Sequence, residues 1–319
     1  MDNFSYCNEY YNSGQYRTDR MQRDYPTLAE AIRQNLDKLT ATQRKPARLL
    51  LANYPFAGLE TVARFAALAG VSGPTVLRLI NKLGYAAYAD FQQALKRELE
   101  ARVQSPITRQ RPHSGTAGGS SQLLDAFVEV LCENLRQSAF SWTAADLDGV
   151  VNLLADSRRR VYLLGGRLTE PVASYLFVHL HALRPRVLRI EGQTDTWPES
   201  LLDMSKTDIL LVFDIRRYQN DVVKFARQAA ARGVQVVLFT DQWLSPVSKF
   251  ATLVFACHTQ TPSNWDSSVS ILALLDILIS ALNQRQWPTI HKRMGELEEL
   301  RGNLSPRSHP QLPKNSAVE

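Results

Sequence analysis

At 319 residues, 45% of them hydrophobic, the chain is long enough for two domains with real cores, and it is neither fibrous nor wholly disordered. A formal charge of +6 at pH 7 points to an acidic partner such as a phosphate backbone. Three scattered cysteines, Cys7, Cys132 and Cys257, show no CxxC spacing, so neither a disulfide framework nor a zinc site is indicated and a reducing cytoplasm is the expected location.

Residues 1–24 are polar, spotted with aromatics and without an apolar h-region, so they read as a disordered leader rather than a secretory signal or a membrane span. From 25 to 102 the periodicity predicts helices throughout, including TLAEAIRQNLDKL, TQRKPARLLLANY and YADFQQALKRELEAR. Between the last two lies LAGVSGPTVLRLINKLGY, residues 68 to 85. Gly70 suits the left-handed end of one helix, Ser72 is placed to cap the next, and Pro74 is tolerated in its first turn. Val62, Phe65, Ala66 and Ala69 mark the buried face of the upstream helix, and Val76, Ile80 and Leu83 that of the downstream one, which Gly84 stops.

The outer face of that second helix carries Ser72, Gly73, Thr75, Arg78, Asn81 and Lys82, small or polar at its start and basic further on. Such a face suits a helix pressed end-first into a major groove, the pattern of a helix-turn-helix. Any amphipathic hairpin has a solvated face, so charge must arbitrate. Residues 25–104 hold eleven Lys and Arg against six Asp and Glu, and 105–121 add two Arg and no acid, whereas 122–300 hold eighteen against twenty. The excess positive charge therefore gathers around the helix-turn-helix, which favours double-stranded DNA as partner.

Residues 103–121 are rich in Gly, Ser, Thr and Pro and read as a flexible linker. Beyond it, from 122 to 300, two helical stretches precede the apolar runs RVYLLGG, RVLRIEG, DILLVFDI, QVVLFTD and TLVFACH, most of them separated by helical patterns. Continuous apolar strands with helical crossovers imply a doubly wound five-stranded parallel sheet covered on both faces. A ligand in that architecture sits at the carboxyl ends of the strands. SVSILALLDILISAL is too short to cross a bilayer comfortably and contains Asp276, so it reads as a buried or interface helix, and 301–319 as a disordered tail.

This order of parts, with AALAGVSGPTVLRLINKLGYAAYADFQQAL and DILLVFDIRRYQNDVVKFARQAAARGVQVVLFTD as its most specific elements, resembles the RpiR (MurR/RpiR) family of bacterial transcriptional regulators over roughly residues 25 to 300. The resemblance implies an all-α DNA-binding domain followed by an αβα sandwich of the sugar-isomerase, or SIS, type. In SIS domains that bind phosphosugars the first strand typically ends in a G-x-G-x-S loop. Here Arg167 replaces the second glycine and Thr169 keeps a hydroxyl. After the third strand an S-G-x-[ST] turn gives way to Arg216, Arg217, Tyr218 and Gln219. Guanidinium groups are strong bidentate donors to phosphate and carboxylate, so these six residues are expected to line a pocket for a small anionic effector, a phosphosugar or a sugar acid, with no metal and no cofactor.

The rival reading is an SIS-type sugar-phosphate isomerase, with Glu191, Asp195 or Glu199 as general base; acids at a helix start are the simpler account of these three. His179 and His181, at i and i+2 on a helix, do not converge as metal ligands. An isomerase gains nothing from a basic helix-turn-helix, and a pure scaffold would lack a pocket. A DNA-binding regulator that is not an enzyme is therefore expected, as a homodimer or tetramer, since two half-sites call for a symmetric pair.

Overall fold

The computed structural model describes residues 27–103 and 120–304. The expected leader, most of the linker and most of the tail lie outside these residues. The chain divides into two compact units, Met1–Ala101 and Arg102–Glu319.

The first unit is helical: α1 (Leu28–Gln34), α2 (Ala41–Ala52), α3 (Phe56–Leu59), α4 (Val62–Ala69), α5 (Gly73–Lys82) and α6 (Tyr88–Val103). Threonines start three of them. The hydroxyls of Thr27, Thr40 and Thr61 accept from the backbone N–H groups of Glu30, Gln43 and Arg64, and Gln43 returns the bond to the Thr40 backbone in a capping box. Ile32, Leu50, Phe65, Val76, Leu79, Ile80, Phe91 and Leu95 meet in one buried core, so each helix is held by its apolar stripe. The sequence reading had no counterpart for α3, whose four residues are too few to show a period.

The second unit runs α7 (Ser120–Ser141), α8 (Ala144–Ala155), β1 (Val161–Gly165), α9 (Glu170–Leu183), β2 (Val187–Arg189), α10 (Trp197–Asp203), β3 (Ile209–Asp214), α11 (Asn220–Ala231), β4 (Gln235–Asp241), β5 (Leu253–Cys257) and α12 (Val269–Leu304). All five strands are parallel, in the order β2-β1-β3-β4-β5. Alternate strand residues feed two cores. Leu211, Phe213, Val237 and Phe239 pack with Val150, Leu176 and Leu275 of α8, α9 and α12, while Leu210, Val212, Val236 and Leu238 pack with Leu201, Val222 and Phe225 of α10 and α11. Burial on both faces explains why these strands read as unbroken apolar runs. Phe213, Phe239 and Phe255 stack across three neighbouring strands with ring centroids 4.8 and 5.4 Å apart.

β2 is shorter than RVLRIEG suggests: it is an edge strand that pairs with β1 through three residues. α12 is longer than its apolar run and has non-helical backbone at Gln286, ahead of Pro288. Among the described residues no helix is long and apolar enough to cross a membrane. Cys257 is buried with its thiol pushed up by loss of water, and Cys132 is half-buried; both are free thiols.

Candidate functional site

Two places in the structure gather the residues singled out from the sequence. The first is the outer face of α5. Gly70 closes α4 in the left-handed region (φ 63°, ψ 40°), and the Val71 N–H returns to the Ala66 carbonyl at 3.0 Å. The next helix then begins at Ser72, with Pro74 in its first turn. Val76, Leu79 and Ile80 are fully buried, which fixes the rotation of α5 and leaves Ser72, Arg78 and Asn81 exposed and Thr75 half-buried along a three-residue repeat. Ser72 occupies the cap position, but its hydroxyl makes no capping bond to backbone and lies 3.0 Å from that of Thr75. Gly73 is half-buried. Lys82 differs from its expected role on this face: it is half-buried and its Nζ donates to the Lys38 carbonyl at 2.6 Å. Leu77, 41% exposed, and Pro74 add an apolar edge that the sequence reading missed, although Leu77 does lie off the repeat of Val76, Ile80 and Leu83.

The second place is the crevice between β1 and β3, where the strand order reverses. A cavity of about 340 Å³ opens there, lined by Gly166, Arg167, Leu168 and Thr169 after β1 and by Asp214, Ile215, Arg216, Arg217 and Gln219 at the end of β3. The two loops are tied together: Gln219 Oε1 accepts from the Arg167 N–H at 3.0 Å. Gly166 lets the loops approach, because a Cβ there would lie 3.2 Å from Gln219 Oε1, and Gly165 lets the chain turn into α9, because a Cβ there would lie 2.6 Å from the backbone of Glu170.

The structure separates the six expected effector residues. Thr169 is 2% exposed and its hydroxyl is spent on backbone, donating to the Phe213 carbonyl at 2.6 Å and accepting from the Gly166 N–H at 2.8 Å. It joins the loop after β1 to the end of β3 and is not placed to orient a ligand through that hydroxyl. Arg216 is also removed from the expected set. Its guanidinium grips Asp266 through Nε (2.6 Å) and Nη2, lies 4.1 Å from the Trp243 ring centroid, and has 1% of its side chain exposed. Its charge is answered inside the protein. Tyr218 points its hydroxyl at Asp241 Oδ1, 2.8 Å away, and is absent from the cavity wall. Arg167 and Arg217 are exposed, and among the described residues neither guanidinium has a partner.

Two buried carboxylates hold the β3 loop from beneath, and sequence reasoning missed both. Asp241 accepts from the backbone N–H groups of Arg216 and Trp243 as well as from Tyr218; Asp214 accepts from Ser245 and from the Gln219 N–H. Burial away from water pushes Asp214 up to about 7 and Asp241 up to about 6. Their position at the ends of apolar strand runs was the available signal. Of the carboxylates considered as bases, Glu191 pairs with Arg189 at 2.5 Å, Asp195 lies in a 3₁₀ turn and Glu199 in the first turn of α10; none lines the crevice. His179 packs on Tyr175 and His181 on Phe177. Among the described residues no cluster of three or more His, Cys, Asp or Glu is arranged to hold a metal ion.

Comparison with known proteins agrees with this architecture. Residues 27–102 match the helix-turn-helix domain of the rpiR family and residues 153–281 match the SIS domain. The HTH-type transcriptional regulator HexR of Pseudomonas aeruginosa is 24% identical over 307 residues, 89% of this chain and 97% of that protein. The sugar isomerase domain of an RpiR transcription factor from Sphaerobacter thermophilus superposes with a TM-score of 0.53 at 22% identity, covering 56% of this chain and 99% of that one. Vibrio vulnificus NanR, solved in complex with ManNAc-6P, gives 0.50 at 21% identity over 88% of this chain and all of that one.

Proposed function

This chain belongs to the rpiR family of helix-turn-helix proteins and carries a SIS domain, and on that premise we propose that it is a transcriptional regulator that reads an operator with α5 and senses a small anionic metabolite in the β1/β3 crevice. The observation that carries the DNA half is the division of α5 into a fully buried face and an outward stripe of Ser72, Arg78 and Asn81, exposed, with Thr75, half-buried, between them, set in the basic part of the chain. Small residues at the helix start let it approach base edges, and Arg78 is long enough to reach guanine or phosphate.

For the effector, support comes from Arg167 and Arg217, which stand on the two loops that face each other across the crevice and are free to form charge-assisted bonds. NanR, a protein of the same fold, was solved with a phosphosugar, which favours that class. Gln219, already bridging the loops, would set the spacing of the two arginines. The ligand acts by preferring one arrangement of the regulator over another, so no chemistry on it is needed and the protein is not an enzyme. A homodimer supplies the paired helices that a two-fold operator requires.

Calorimetry with sugar phosphates, sugar acids and neutral sugars, on the wild type and on Arg167→Ala/Arg217→Ala, tests the crevice. An anion is expected to bind the wild type and to lose at least tenfold in the double variant. A neutral sugar that binds both proteins equally would assign the arginines to the surface and overturn the anionic reading.

A further inference from the structure

Arg216 and Asp266 are fifty positions apart, and their pairing joins the loop after β3 to the segment 258–268 between β5 and α12. That segment is fixed at other points too. Its Ser267 N–H closes on the Thr259 carbonyl at 2.8 Å, and the Thr259 N–H reaches Gln242 Oε1 at 3.3 Å. Two further bonds tie it to α7: the His258 N–H donates to Ser138 Oγ at 2.7 Å, and Asn134 Nδ2 donates to the Gln260 carbonyl at 2.6 Å. Asn134 and Ser138 are 6% and 0% exposed, and the Ser138 hydroxyl donates its own hydrogen bond to the Asn134 carbonyl.

These contacts are continuous. They run from the crevice wall at Arg216, through an ion pair whose arginine is buried and whose aspartate is half-buried, along a short irregular segment, to one face of α7. They are also costly to rearrange singly, because breaking either end strands a buried polar group. Helix α7 opens the second unit, so it is the element through which the polypeptide arrives from the DNA-binding unit.

We propose that the Arg216–Asp266 pair and the bonds of Asn134 and Ser138 form a relay that couples the conformation of the effector loop to α7. In it Asp266 and Asn134 are positioning residues: neither lines the crevice, and each acts through the group it holds. Arg217 lies directly beyond Arg216 in the left-handed region (φ 61°), so clamping the Arg216 side chain and backbone sets where the free guanidinium of Arg217 points. A ligand that pulls on Arg217 therefore loads the pair, and the load reaches Asn134 and Ser138 through segment 258–268. The inference rests on the crevice being the effector site, but its test uses no ligand, so the two can fail separately.

The experiment is amide hydrogen exchange on the ligand-free full chain. Asp266→Asn is expected to speed exchange at least tenfold in residues 216–219 and also in 134–141 of α7. Asn134→Ala is expected to do the same from the other end, reaching 216–219. Phe65→Leu, which loosens the separate core of the helical unit, serves as the control and is expected to leave both regions unchanged. Changes confined to the neighbourhood of each substitution, or α7 moving equally in the control, would overturn the relay. Should Asp266→Asn fold poorly, the double variant Arg216→Met/Asp266→Leu replaces the ion pair with apolar side chains, a swap that folded proteins tolerate. It is expected to restore the melting temperature while exchange in 216–219 and 134–141 stays fast. Recovery of slow exchange along with stability would reduce the pair to packing alone and end the proposal.

Discussion

Asp214 ends β3 with 2% of its surface exposed and accepts bonds from Ser245 and Gln219. Burial raises its carboxyl from the ordinary 3.8 to about 7, against the pull of those two donors and with some help from the charge of Asp241. Between these two values the folded protein holds a proton that the unfolded chain has lost. The stability this contributes is complete below the unfolded value and disappears as pH rises through about 7. Asp214→Asn removes the titration, so its unfolding free energy should fall less than that of the wild type between pH 5 and 8. The variant should lead by ~1–4 kcal/mol at the upper end, given 1.36 kcal/mol per pKa unit. Urea unfolding at both pH values measures this, and parallel curves would refute it. Arg78, exposed on α5, is a simpler case. Arg78→Ala should weaken operator binding by about 1–3 kcal/mol, selectively at one base pair if it grips guanine and uniformly if it meets phosphate. Titrating labelled operator variants distinguishes these outcomes, and unchanged affinity would remove Arg78 from the interface.

At the scale of elements, what was legible is what short-range chemistry writes. Gly70 and Gly84 adopt φ of 63° and 99° where the helix stops were expected, and Pro74 sits in the first turn of α5, so the helix-turn-helix could be read from eighteen residues. All five strands could be read, most plainly β1, β3 and β4, which are buried on both faces. What stayed hidden depends on partners distant in sequence. Nothing near Arg216 announces that Asp266 takes its charge, and nothing near Thr169 shows that Phe213 takes its hydroxyl bond; an arginine and a threonine in a ligand loop look the same whether they face the ligand or the protein. The junction of β1 and α9 offers a test at this scale. In Gly165→Ala the new methyl meets the Glu170 backbone at 2.6 Å, which no side-chain rotation relieves. Overpacking of this kind costs about 1–3 kcal/mol, and the displaced start of α9 should also weaken effector binding. Thermal unfolding checks the first effect, and a melting temperature equal to the wild type would show that the loop yields without cost.

For the whole molecule the unequal charge of the two halves has a consequence for assembly. Attraction to a DNA backbone falls mainly on the helical unit, so affinity for an operator is expected to rise steeply if two copies are joined. Sedimentation at micromolar concentration should show a dimer or larger species; a strict monomer that still binds a palindromic operator tightly would contradict the two-fold arrangement. The stacked rings of Phe213, Phe239 and Phe255 matter at this scale as well. They act as a vernier across β3, β4 and β5: sliding any one strand by a single residue would turn its ring through the sheet to the wrong side. Since that slip is closed, the end of β4 is held one residue past that of β3, and Asp241 and Asp214 come to rest beneath the same loop, each placed to accept from its backbone.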